Sequence, residues 1–177
     1  MGRYLVAALL VGLGLSSVAM ASGAEATAAE KRTLVNGAPS IDALLERFRD
    51  AVSRKDKAAL RALRLTQDEY LGIVLPGSVP PGQPWTTYSE QAQEYFWGTL
   101  NGKSIYSEAN LLNDFGGRDF TVKAVRYQKG VQDYANYRAY RQLVLTIEDN
   151  TGTVEQMRLG SVVEIAGQYK FISFVRD

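Results

Sequence analysis

The chain contains neither cysteine nor histidine. Without cysteine there are no disulfides and no thiol for a lipid anchor, so packing alone must stabilise the fold. Without either residue, structural zinc, haem and copper sites lose their usual ligands. Only oxygen-ligand sites for calcium or magnesium stay open, and no metal or cofactor is expected. Ser-His-Asp and Cys-His nucleophile systems are excluded on the same ground. An excess of one charge is missing too, since 20 basic residues stand against 19 acidic ones. A balanced chain offers no electrostatic footprint to a phosphate backbone, so nucleic acid is not an expected partner. Weak mutual repulsion leaves a homodimer open.

Long hydrophobic runs are scarce, and the one present is informative. Arg3 precedes an apolar stretch from Tyr4 to Leu15, and small residues then lead to Ala19-Met20-Ala21. A positive start, a short apolar run and an A-x-A site predict a signal peptide over residues 1–21, cut between Ala21 and Ser22. The run of about 12 residues is shorter than the roughly 20 that a membrane-spanning helix needs. The mature chain is therefore expected to be exported, to the periplasm or outside the cell, with no membrane span. Removing Arg3 leaves 19 basic against 19 acidic residues. Residues 22–39 are small and polar without apolar periodicity and read as a flexible leader. Residues 40–177 are sufficient for a single domain with one core.

That domain opens on helical patterns. Ser40 is a candidate cap for a helix whose apolar positions are Ile41, Leu44, Leu45, Phe48 and Val52. Lys55-Asp56 interrupts it, and Asp56 caps a short helix through Leu60, Leu63 and Arg64. Thr66 and Glu69 fit a capping box for a third helix through Tyr70 and Ile73 to Pro76. The stretch from Pro76 to Pro84 is a loop by composition. Thr87 or Ser89 then starts a long helical stretch to about Phe115. Its apolar positions include Tyr95, Phe96, Leu100, Ile105, Leu111 and Leu112. Gly98 and Gly102 predict a break near Asn101-Gly102, and Gly116-Gly117 a left-handed end.

From Asp119 the period drops to two. Four strands are expected: one from Phe120 with Val122 and Ala124 inward, one over 134–148 with Leu143, Leu145 and Ile147 inward, one over 153–165 and one over 168–176. The third puts Met157, Leu159, Val163 and Ile165 on one face. The fourth sets Ile172 and Phe174 opposite Tyr169 and Phe171. Gly160 marks a bulge or a close backbone approach. Helices first and a strand meander after them make an α+β fold, with N-terminal helices on a four-stranded antiparallel sheet.

The long first helix ending at Lys55-Asp56, the short helix after it, a further helical section and four long C-terminal strands resemble the nuclear transport factor 2-like superfamily. That group includes ketosteroid isomerases, polyketide cyclases and catalytically silent exported domains. The resemblance covers residues 40–177 and implies a sheet curved into a cone that can enclose a pocket. The Pro76–Pro84 loop and the helical stretch after it are longer than the pattern. No position matches the isomerase carboxylate, so no catalytic residue carries over.

Candidate sites follow from residue type. Tyr134, Tyr137 and Tyr140 crowd the segment from Asp133 to Arg141 with Arg138 and Arg141. Strand alternation puts Tyr137 and Arg141 on one face, where they would present a hydroxyl and a planar donor fork to an anionic or carbonyl-bearing ligand. The plainer alternative is that both cover the sheet with their polar ends in water. Trp85 sits at a loop–helix junction, where rims of clefts are built. Trp97, beside Tyr95 and Phe96, suits either core or an interface. The reading that follows is an exported, non-catalytic domain that binds a small hydrophobic or anionic ligand, or a partner. The alternative is a cofactor-free enzyme using Tyr/Asp acid–base chemistry on a hydrophobic small molecule.

Overall fold

The computed structural model describes residues 33–175. The signal segment, the Ala21–Ser22 bond and most of the leader lie outside the described residues. Ser40 caps α1 (Ile41–Ser53) by accepting from the Ala43 amide at 3.0 Å. Leu44, Leu45, Phe48, Ala51 and Val52 are buried along it, as its periodicity predicts. Lys55 turns left-handed at φ +54° and stops the helix. Asp56 then caps α2 (Lys57–Ala62), accepting from Ala59 N at 2.9 Å. The Thr66/Glu69 capping box opens α3 (Gln67–Glu69), which runs directly into a π-helical turn over Tyr70–Val74.

Ser89 caps α4 (Glu90–Phe115), and Gly117 closes it in the left-handed region at φ +82°. Two expectations fail here. The helix is continuous through Asn101 and Gly102. Each glycine weakens a helix by about 1 kcal/mol, a local penalty that does not interrupt this 26-residue helix. The expected apolar positions also turn inward only in part: Leu111 and Leu112 are buried with Phe115, Ser104, Ser107 and Glu108, while Tyr95, Phe96 and Ile105 are exposed.

The α+β class holds, but two antiparallel sheets replace the single four-stranded sheet expected, because two of the expected strands are each broken in two. One has three strands in the order β1 (Phe120–Tyr127), β4 (Leu143–Asp149), β5 (Val154–Arg158). The other has four, in the order β2 (Val131–Asp133), β3 (Arg138–Tyr140), β6 (Val162–Ile165), β7 (Gln168–Phe171). The expected 134–148 strand is interrupted at Gln142, which is left-handed at φ +52°. The expected 153–165 strand is interrupted beside it at Leu159-Gly160-Ser161. Hydrogen bonds cross this seam: Leu143 N to Gly160 O at 3.1 Å, Leu159 N to Leu143 O at 2.8 Å, and Gln142 N to Ser161 Oγ at 3.2 Å. Gly160 makes the close approach, since a Cβ there would collide with the Ser173 carbonyl.

The seam slips the strand phase, because side chains alternate every residue. Met157 and Leu159 join one core cluster, and Val162 rejoins it after the break, while Val163 and Ile165 enter a second cluster. A bulge between Val122 and Ala124 does the same in β1, so Val125 rather than Ala124 follows Val122 towards the core. Chain direction changes after Phe171, which sets Phe174 beside Phe171 (ring centroids 5.2 Å) instead of opposite it. Phe48 completes this group at 5.5 and 6.1 Å. Leu143, Leu145 and Ile147 are fully buried as predicted.

The described end of the stretch read as a leader is built into the domain. Leu34 and Ala38 are buried, Ala38 N donates to Tyr169 O at 3.0 Å, and Val35 N donates to Glu69 Oε1 at 2.7 Å. Glu69 also takes Thr66 N at 2.7 Å and the Lys170 ammonium at 2.9 Å, a buried ion pair with its lone pairs satisfied.

Candidate functional site

The sequence-predicted site residues have separate surroundings. Asp133 ends β2 and Arg138 begins β3, so Tyr134 to Tyr137 form the connection between them rather than part of one long strand. Tyr137 is buried, stacks on Tyr134 with centroids 4.6 Å apart, and shares a 2.8 Å hydrogen bond with Ser78 Oγ. Burial pushes its hydroxyl up to about 12, only partly offset by that hydrogen bond. Arg141 lies beyond the end of β3 and donates to Gln132 Oε1 at 2.7 Å. Trp85 stays in the loop before α4, 37 % exposed. The polar ends of Tyr137 and Arg141 therefore go to different partners.

A groove of about 630 Å³ runs beside α1 and the β1 and β4 ends. Five of its seven charged residues are in ion pairs: Lys123 with Glu148 at 2.8 Å, Arg49 with Asp50 at 3.0 Å, and Asp149 with Arg118 at 3.4 Å. Exposed pairs of this kind leave little field for a ligand.

A smaller cleft of about 240 Å³ has a different balance. It is lined by Arg61, Arg64, Leu65, Thr66, Trp97, Asn101 and Ile105, with no acidic residue among them. The backbone explains why Arg64 points inward. Phe171 N donates to Leu63 O and Leu65 N to Phe171 O, both at 2.9 Å, so Leu63-Arg64-Leu65 lies along the end of β7 like a short extra strand. This replaces the last turn expected for α2, and Arg64 becomes 95 % buried as a result (5 % exposed). Its Nη2 donates to Asn101 Oδ1 at 3.2 Å, and its guanidinium stands 5.9 Å from the Phe174 ring centroid. Its Nε is buried without a hydrogen-bond partner.

The charge balance of this corner is positive. Arg61 holds Glu108 through Nε and Nη2 at 3.1 to 3.3 Å. That leaves two guanidinium groups over one carboxylate. Burial pulls Arg64 below its ordinary value; Glu108 opposes the shift and Arg61 adds to it. At its normal value above 12 an arginine stays charged even so. Trp97 forms the apolar wall, 5.8 Å from the Tyr70 ring.

Sequence reasoning singled out Trp97 but missed Arg64 and Asn101. The available signal was Arg64 between Leu63 and Leu65, a charge inside an apolar run. Both described buried carboxylates, Glu69 and Glu108, are held in ion pairs. Among the described residues no group of three or more Asp or Glu side chains is placed to hold a metal ion, and no helix is long and apolar enough to cross a membrane. Comparison with known proteins finds no matching family model, curated protein or solved structure.

Proposed function

We propose that this protein is an exported, non-catalytic domain that captures a small organic anion in the Arg64–Trp97 cleft. One observation carries the reading. Arg64 is 95 % buried (5 % exposed), bound to no carboxylate among the described residues and short of one hydrogen-bond partner. A buried charge is stable when it is paired, and an incoming carboxylate supplies the missing half. Trp97 beside it favours a flat or apolar body on that anion. A cleft of about 240 Å³ suits a single-ring acid rather than a large cofactor.

The cone of a nuclear transport factor 2-like domain remains the fold proposal. Its support is the seam at Gln142 and Gly160, where two strands change direction side by side. Export rests on the signal pattern before Ser22. Tyr137 and Arg141 are not carried into the site, because Ser78 and Gln132 already take their polar ends.

Titration with benzoate, read through Trp97 fluorescence in a Trp85→Phe background, tests the site. Saturable quenching is expected, weakened by added salt and lost in Arg64→Met. Benzyl alcohol should give none. Equal response to benzoate and benzyl alcohol, or an unchanged response in a folded Arg64→Met, would overturn the reading.

A further inference from the structure

The cleft uses only one side of α4. Its first half, residues 90–103, contains no buried residue. The side turned away from the domain carries Ala92, Tyr95, Thr99, Gly102 and Tyr106, spaced three and four apart in a heptad stripe. Tyr95 is 69 % and Tyr106 71 % exposed. Stripe residues carry no charge. Two large aromatic side chains held in water on one uncharged helix face are a feature of interfaces.

Gly102 has no internal explanation. A Cβ there would meet nothing within 4 Å, so the fold does not require glycine. A glycine at such a place forfeits about 1 kcal/mol of helix stability. Its value lies in the space it leaves above the helix.

We infer that a second copy of this chain fills that space, with two α4 helices packed antiparallel about a two-fold axis at Thr99. This goes beyond ligand capture and does not depend on it. In that register the stripe matches itself in size. Tyr106 lies over Ala92 of the partner helix, Thr99 meets its own copy on the axis, and Tyr95 falls within one residue, about 1.5 Å of helix rise, of the partner's Gly102. Each layer sets a large residue against a small one, as self-complementary two-fold interfaces require. A parallel pairing would stack tyrosine on tyrosine and glycine on glycine, losing that match.

Area sets the strength. Two tyrosines from each copy, at roughly 150–250 Å² buried apiece, give about 600–1,000 Å². That is below the 1,200 Å² typical of stable complexes, so the dimer should be weak, with Kd in the micromolar range or above.

Sedimentation of the full mature chain from about 1 µM to 1 mM tests this, a window that brackets such affinities. A reversible monomer–dimer equilibrium is expected. Gly102→Leu fills the space that receives Tyr95 without touching the fold, and should weaken the dimer at least tenfold. Adding Tyr95→Ala to it restores room and should recover association. Because the chain has no cysteine, Thr99→Cys offers a second readout: oxidation should give a disulfide dimer, while Glu94→Cys on the flank should not. A monomer throughout the range, or a dimer indifferent to Gly102→Leu, overturns the inference.

Discussion

Helices α1 and α4 relate pattern to burial in opposite ways. In α1 the apolar residues are the buried ones, and Phe48 reaches Phe171 and Phe174 at the centre of the core. In α4 two serines and a glutamate are buried beside Leu111, Leu112 and Phe115, while Tyr95, Ile105 and Tyr106 face water. Hydrophobic transfer attaches α1 along its whole length but α4 only towards its C-terminal end, where Leu111, Leu112 and Phe115 join the same core. The inner side of α4 adds specific polar bonds: Arg61 to Glu108, Arg64 to Asn101, and Ser104 Oγ accepting from the buried Phe174 amide at 3.0 Å. Its outer side is left free for other work. Buried hydrophobic residues are structural in both helices, and only α4 also carries large aromatic side chains on its outer face.

Substitutions can break this contrast. Phe48→Ala should destabilise most, by about 3–5 kcal/mol, from lost transfer energy and the cavity left behind. Urea unfolding measures it, and a loss below about 1 kcal/mol would deny α1 its central place. Ser104→Val makes α4 more apolar yet should still lose roughly 1–3 kcal/mol, because the Phe174 amide is left buried without an acceptor. If stability rises instead, hydrophobic burial governs α4 after all. Tyr106→Ser removes a large aromatic side chain and should change the monomer by no more than about 0.5 kcal/mol at low protein concentration. A larger loss would place Tyr106 in the core of the fold rather than on its outer face.

The same contrast explains what the sequence made legible. Periodicity and capping residues are local, so Ser40, Asp56, Thr66 with Glu69, and the Leu143–Leu145–Ile147 face were readable within a few residues. The burial of Ser104 depends on Phe174, 70 residues away, and no local window contains that partner. Arg64 looked like the last turn of a helix because its pairing with Phe171 is equally remote. The seam was half visible: Gly160 signalled a close approach, but nothing at Gln142 announced a left-handed residue. Tyr137 and Arg141 were joined by counting in twos through a segment where Tyr134 to Tyr137 belong to a connection, and the count lost its meaning there.

Glu69 has a consequence for the order in which the chain can fold. Its carboxylate receives Val35, Thr66 and Lys170, the last a partner 101 residues distant. Gln168 likewise accepts from Leu34 across 134 residues. Contacts of such long range carry a large loop-closure entropy and form late. The helical capping box can assemble early around Glu69, but the charge it holds stays unanswered until β7 arrives. Folding intermediates that lack β7 should therefore keep this carboxylate in water, with the segment around residue 35 still undocked, and the amides of Val35, Ala38 and Tyr169 should become protected from exchange in a single late step.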